Sequence, residues 1–124
     1  MKPNRPMNLD LGTISLPIGA KVSILHRVSG VFLFVGIAVL LYLLGLSLGS
    51  AEGFAQAREL LGSTLAKFVL WAVLAGLIYH SVAGVKHLFM DFGIGESLAG
   101  GVLAARITFA VSAVLIVLAG VWIW

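Results

Sequence analysis

The sequence of 124 residues is 60% hydrophobic and only 10% charged, and its mean hydropathy is strongly positive. Soluble domains carry roughly 25% charged residues, so this composition excludes an ordinary soluble fold and predicts an integral membrane protein. The formal net charge is +3, with basic residues too scattered to indicate nucleic-acid binding. The sequence has no cysteine, so any metal must be held by histidine or carboxylate.

Three charge-free apolar runs predict an all-α fold with three transmembrane helices. The runs cover residues 28–51, 68–85 and 107–124. Each is close to the ~20 residues that a helix needs to cross about 30 Å of hydrocarbon. They are apolar on every face, which excludes the alternating pattern of a membrane barrel. We expect one membrane-anchor domain over residues 1–124, with helices over about 22–49, 64–92 and 102–124.

The basic residues that flank the runs predict the orientation. Six lie in the N-terminal flank and the second loop, and two lie in the first loop: Lys2, Arg5, Lys21, Arg27, Lys86 and Arg106, against Arg58 and Lys67. Because basic residues are enriched in cytoplasmic flanks, residues 1–20 are predicted to be cytoplasmic and the C-terminus to lie on the opposite side. The segment before residue 28 lacks the apolar core and cleavage pattern of a removable signal peptide.

The sequence also predicts a short helix in the first loop and a close helix contact at two glycines. Residues 50–63 can form a short interfacial helix, because Phe54 and Leu60 offer apolar contacts and Glu52 suits the helix N-terminus. Gly45 and Gly49 have the spacing that favours close helix packing.

His80 is the most informative polar residue. It lies six positions before Lys86, about 9 Å of helix rise inside the charged boundary of the second span. An ionisable side chain at that depth is costly and normally faces a partner or a cavity, which makes a functional role the default hypothesis. A neutral imidazole is a good iron ligand. The alternative is a histidine that hydrogen-bonds to a neighbouring helix.

A polar stripe surrounds His80 on one helix face: Gly76, His80, Gly84, His87 and Asp91 follow one another at spacings of four, four, three and four. Glycines one turn above and below a histidine leave room for a flat macrocycle, so the pattern is compatible with haem. Close helix packing without a cofactor explains the same glycines. For His87 and Asp91, a solvated interface is the alternative to a role in the site.

A second polar cluster lies at the start of the first span. Ser23 and Arg27 are one helical turn apart, so a hydroxyl and a guanidinium point the same way. Arg27 suits an anionic propionate or a quinone oxygen that gains negative charge, and Ser23 can donate to the same oxygen. The alternatives are a headgroup anchor for Arg27 and a helix cap for Ser23. His26 lies about 100° away around the helix and is given a supporting role.

The two clusters fall in the same membrane leaflet, because the first span runs inward from Ser23 while the second runs back to His87. With these two clusters, the sequence resembles the cytochrome b556 membrane-anchor subunits of bacterial and mitochondrial succinate dehydrogenase. The resemblance rests on RPMNLDL at 5–11, SILHRVSG at 23–30 and HSVAGVKHLFMDFG at 80–93, in family order and spacing.

The resemblance implies a complex in the bacterial inner membrane, or the mitochondrial inner membrane in a eukaryote, that serves the tricarboxylic acid cycle and the respiratory chain. In it, a flavoprotein with FAD oxidises succinate, an iron-sulfur subunit relays electrons, and two small anchors present ubiquinone. This chain would hold no succinate site. Residues 5–11 would contact the iron-sulfur subunit.

The resemblance also implies residue roles. His80 would be one axial ligand of haem b, with the other histidine from the second anchor. Ser23 and Arg27 would line the ubiquinone site, with Arg27 and His26 near the haem propionates. Gly84, His87 and Asp91 match positions around that pocket.

Two alternatives and one departure remain. Lys86 stands where the family often has arginine, so a bidentate propionate contact is not expected there. A fumarate reductase haem anchor runs the same chemistry toward reduction. A non-enzymatic transmembrane helix bundle is the rival of a different class.

Overall fold

Helices form most of the part of the chain that the structure describes. The computed structural model describes residues 7, 9–10 and 12–124. In that part of the chain the helices are α1 (Ile18–Gly49), α2 (Ala51–Gly62), α3 (Thr64–Asp91) and α4 (Leu98–Ile123). Three of them, α1, α3 and α4, are long and apolar enough to cross a membrane. The prediction of an all-α fold with three membrane-spanning helices is therefore confirmed.

The helices extend beyond the charge-free runs. Helices α1 and α4 each begin four residues before the predicted positions, at Ile18 and Leu98. A charge-free run indicates only the part of a helix that lies in the hydrocarbon of the membrane. The helix itself continues beyond that part until a capping residue ends it. The cap of α4 is Ser97, whose Oγ accepts a hydrogen bond from the Gly100 amide at 3.0 Å. Of the predicted contact segment at 5–11, only Met7, Leu9 and Asp10 lie within the described residues.

The first loop forms the expected short helix. Ser50 caps α2 by accepting from the Gly53 amide at 2.9 Å, and Ser63 caps α3 by accepting from the Ala66 amide at 3.2 Å. A Cβ at Gly53 would collide with the Leu46 carbonyl oxygen, so glycine is what lets α2 fold back closely onto α1. The polypeptide therefore enters α3 through two capped turns.

Helix α3 lies between the other two spans and contacts both α1 and α4. In the described part of the chain, the buried hydrophobic cluster is small and consists of Val22, Ala83 and Ala105, one from each span. Most large apolar side chains instead face outward, as Phe34 does at 83% exposure. Lipid or partner subunits must cover these surfaces, because water would not solvate them favourably.

Close contacts set the spacing of the helices at specific glycines. A Cβ at Gly36 of α1 would lie 3.0 Å from Val73 of α3, and one at Gly120 of α4 would lie 3.1 Å from Trp71. A Cβ at Gly45 or Gly49 would meet nothing within 4 Å, so the packing predicted for this pair does not occur within the chain.

Aromatic residues join α3 to α4 at the C-terminal end. The Trp71 Nε1 donates to the Ile116 carbonyl oxygen at 2.8 Å. Trp124 packs edge-on against Phe68, with ring centroids 4.8 Å apart. Trp122, in contrast, is 81% exposed.

Candidate functional site

His80 is held against α1 through one ring nitrogen. Its Nδ1 lies 3.1 Å from the His26 carbonyl oxygen and 3.0 Å from the Ser29 Oγ. A carbonyl oxygen can only accept, so the contact with His26 requires that Nδ1 carry the proton. The tautomer then leaves a lone pair on Nε2, to which no described residue forms a hydrogen bond. His80 thus has one nitrogen satisfied by α1 and one available to a ligand.

Three imidazole rings from two helices form a row. The His26 ring stacks on that of His80, with centroids 4.1 Å apart and an interplanar angle of 11°. The His26 ring also contacts the His87 ring, with centroids 5.0 Å apart and an interplanar angle of 61°. The structure therefore brings together the three histidines predicted for the site, with His26 in contact with both of the others.

The glycines of the predicted stripe have different surroundings. A Cβ at Gly76 would lie 2.7 Å from the Phe32 ring of α1, so this glycine serves close helix packing. At Gly84 the nearest atom to a Cβ would be the His26 Nε2 at 3.6 Å, which is ordinary contact. Gly30 of α1 meets His80 directly, since a Cβ there would lie 3.1 Å from the His80 Cε1. Gly84 and Gly30 thus line the histidine row, whereas Gly76 lies in the packed contact.

Ser23 and Arg27 extend this polar region along α1. Ser23 is half-buried and Arg27 is exposed, and neither has a hydrogen-bond or ion-pair partner among the residues that the structure describes. Arg27 and Asp91 both lie within electrostatic range of His87. The guanidinium is therefore close to the histidine row yet free to bind a ligand.

Lys86 lies on the side of α3 that faces α4, yet it remains within electrostatic range of His26 and His87. Although it was expected to be a simple topology charge at the boundary, it is only 8% exposed. It lines a groove between α3 and α4 with Val82, Ala104 and Thr108. Lys86 follows His80 by six positions, which places the two side chains about 120° apart around the helix.

The sequence interpretation missed two residues that support the site. Ser29 bonds to His80, and the Tyr79 hydroxyl donates to the Val22 carbonyl oxygen at 2.8 Å, joining α3 to α1. The available signal was a hydroxyl inside an apolar run, since a polar group within a membrane must find a partner. Ser29 lies inside the first such run.

Comparisons with known proteins bear on what this arrangement does. Residues 1–119 match the family model described as succinate dehydrogenase/fumarate reductase transmembrane subunit. The chain belongs to this family.

Three relatives of this chain share the same name. A succinate dehydrogenase cytochrome b556 subunit from Coxiella burnetii is 42% identical over 125 aligned positions that cover all of both chains. The subunit of the same name from Paracoccus denitrificans is 34% identical over 93% of this chain and 88% of its own. That from Rickettsia felis is 35% identical over 76% of this chain and 73% of its own. As a family member, the chain places its histidine row within two membrane-spanning helices.

Proposed function

We propose that this chain is the membrane anchor of a succinate dehydrogenase, binds haem b and ubiquinone, and passes electrons from the iron-sulfur subunit to ubiquinone. The observation that carries the proposal is the free Nε2 of His80 inside a membrane-spanning helix, with Nδ1 bonded to α1. Family membership and the name of the relatives support it.

The residues present fit a haem. An axial histidine coordinates iron through a neutral nitrogen, while its other N–H is held by a carbonyl or hydroxyl oxygen, as for His80. The His26 ring covers one face of the His80 ring. The lone pair of Nε2 points in the plane of its ring and not toward that face, so the stack is compatible with ligation. His26, Arg27, Gly84 and His87 would surround the group. A bound b-type haem supplies a one-electron redox centre.

The buried core within this chain is small, which favours an assembly with other subunits. We propose that a second small anchor provides the other axial histidine and covers part of the exposed apolar surface. The flavoprotein would carry FAD, and the iron-sulfur subunit would carry the clusters and contact residues 5–11. Succinate itself would bind outside this chain, whose histidines and Arg27 lie in apolar helices.

Ser23 and Arg27 are proposed to bind ubiquinone. Reduction of the quinone to the quinol takes up two electrons and two protons, and negative charge develops on its carbonyl oxygens. The Arg27 guanidinium stabilises that charge, and the Ser23 hydroxyl donates to the same oxygen and fixes its position. Both side chains lack partners among the described residues, so no existing bond has to break when the quinone binds.

The orientation follows from the flanking charges. We propose an N-terminus in the cytoplasm, a C-terminus on the opposite side, and a location in the bacterial inner membrane. Because the chain has no cysteine of its own, Gln56→Cys in α2 provides a unique label. A membrane-impermeant maleimide added to spheroplasts should label this variant. Labelling only after the membrane is opened would reverse the orientation.

Quinone reduction in membranes tests the quinone assignment. Arg27→Ala should lower succinate-dependent ubiquinone reduction on the order of 10²-fold, because a preorganised donor to the developing charge is lost. Arg27→Lys should retain part of the rate, since charge remains but the planar fork does not. Succinate oxidation by a soluble acceptor and the variant Arg58→Ala in α2 serve as controls. An unchanged quinone rate in Arg27→Ala would contradict the assignment.

Purification distinguishes the rivals. An intact complex should contain a flavoprotein, an iron-sulfur protein, a second small membrane subunit and a b-type haem. A complex without haem favours the structural helix bundle. Faster fumarate reduction than succinate oxidation, with the quinone native to the cell, favours the fumarate reductase anchor.

A further inference from the structure

Ser29 is a half-buried hydroxyl in the first apolar run, and it forms two contacts at once. Its Oγ donates to the carbonyl oxygen of His26, one turn earlier in α1, at 2.7 Å. The same oxygen lies 3.0 Å from the His80 Nδ1 in α3. Of the described serines on α1, Ser47 makes only the first kind of contact, donating to the Leu44 carbonyl oxygen at 2.8 Å.

The direction of these bonds follows from the available protons. A serine hydroxyl has one proton, and the short contact assigns it to the His26 carbonyl. The Ser29 Oγ must then accept from His80, whose Nδ1 already carries a proton because of its contact with the same carbonyl. The Ser29 hydroxyl and the His26 carbonyl therefore favour the same tautomer of His80, in which Nδ1 is protonated and Nε2 is not.

The His80 ring also has little freedom to turn. A Cβ on Gly30 would lie 3.1 Å from its Cε1, so the α1 backbone lies close to one edge of the ring. The stacked His26 ring covers one face. Ser29 supplies a polar contact that selects which nitrogen points toward α1, because packing alone does not distinguish the two ring nitrogens.

We propose that Ser29 is a positioning residue for the haem site: it holds His80 in the tautomer and orientation that present Nε2 to iron, and it increases the basicity of that nitrogen. This inference rests on the proposed function. Outer-shell partners of metal-bound histidines commonly change metal affinity 10–100-fold. A more basic axial nitrogen favours the oxidised iron, so Ser29 lowers the haem midpoint potential.

The test compares variants in the intact membrane complex. Ser29→Ala should shift the haem midpoint potential upward and speed haem loss in detergent about 10-fold. The shift is partial because the His26 carbonyl still accepts from Nδ1. Ser29→Thr keeps the hydroxyl and should stay close to the unmodified complex. Ser47→Ala removes the same kind of helix-backbone bond away from the histidines and should leave the potential unchanged.

Ser29→Val makes the comparison independent of side-chain size, because valine and threonine have nearly the same shape. Ser29→Val should shift the midpoint potential as Ser29→Ala does. If the Ser29→Ala complex does not assemble, the comparison of Ser29→Thr with Ser29→Val tests the positioning role. A potential unchanged in both Ala and Val, or shifted equally in Thr and Val, would overturn the positioning role. That result leaves the proposed function intact as long as the unmodified complex holds haem, whereas absence of haem from that complex would refute the proposed function.

Discussion

The two sides of α3 use different means to contact their neighbours. Toward α1 the contact is polar, with His80 bonded to Ser29 and the His26 carbonyl, and it leaves a nitrogen free. Toward α4 the contact consists mainly of small and aromatic side chains around Ala105 and Trp71, and the one donor of the Trp71 ring is used by the Ile116 carbonyl oxygen. The difference favours α1 and α3 as the helices of the proposed site, with α4 packed against the far side of α3.

The largest expected effect on stability lies at the crossing of α1 and α3. Gly76→Ala would bring a Cβ to 2.7 Å from the Phe32 ring. The rigid ring and the helix must shift, at a cost of about 1–3 kcal/mol. The temperature at which the anchor dissociates from the detergent-solubilised complex measures this loss. Gly45→Ala, which meets open space, is the matched control and should dissociate at the unmodified temperature.

A matched pair of glycines sharpens the comparison between the two sides. Gly30→Ala and Gly120→Ala each place a Cβ 3.1 Å from the nearest atom, on His80 in the first case and on Trp71 in the second. Each should cost about 1 kcal/mol in stability. Only Gly30→Ala should also change the haem absorption spectrum, because only it displaces the proposed ligand. Equal spectral changes in both variants would show that α4 shapes the site as much as α1 does.

The smallest expected effect is that of Tyr79→Phe. The change removes the hydrogen bond to the Val22 carbonyl oxygen but keeps the ring that packs against Phe109. Polar bonds between membrane helices contribute about 0.6 kcal/mol on average, so the dissociation temperature should fall slightly. A fall as large as that of Gly76→Ala would show that this bond contributes as much to the contact of α1 with α3 as the close approach at Gly76 does.

The spans could be predicted from the sequence because solvation by lipid requires long uncharged helices. The position of His80 followed from its depth, and helical spacing grouped it with Gly84 and His87. The rotation of each helix could not be predicted, since apolar residues surround every span and no single stripe marks the packed face. For that reason the burial of Lys86 and the hydrogen bond from His80 to Ser29 appeared only in the structure.

The glycines illustrate the same limit. Gly76 and Gly45 are each one of a pair at regular helical spacing, yet a Cβ at Gly76 would meet a ring of α1 and one at Gly45 would meet nothing within 4 Å. Spacing shows that a close approach is permitted, and only the crossing of two helices determines whether it occurs. Room for a macrocycle at Gly84 therefore stays a prediction that ligand binding must test.

The most direct test of the haem assignment is the redox difference spectrum of the purified complex with His80→Ala. A b-type haem with two axial histidines should be present in the unmodified complex and in Ser47→Ala, and should be lost in His80→Ala. The loss follows because, among the described residues, only His80 has one ring nitrogen bonded to α1 from α3 and the other free for a ligand. An unchanged spectrum in an assembled His80→Ala complex would contradict the assignment of His80 as the iron ligand.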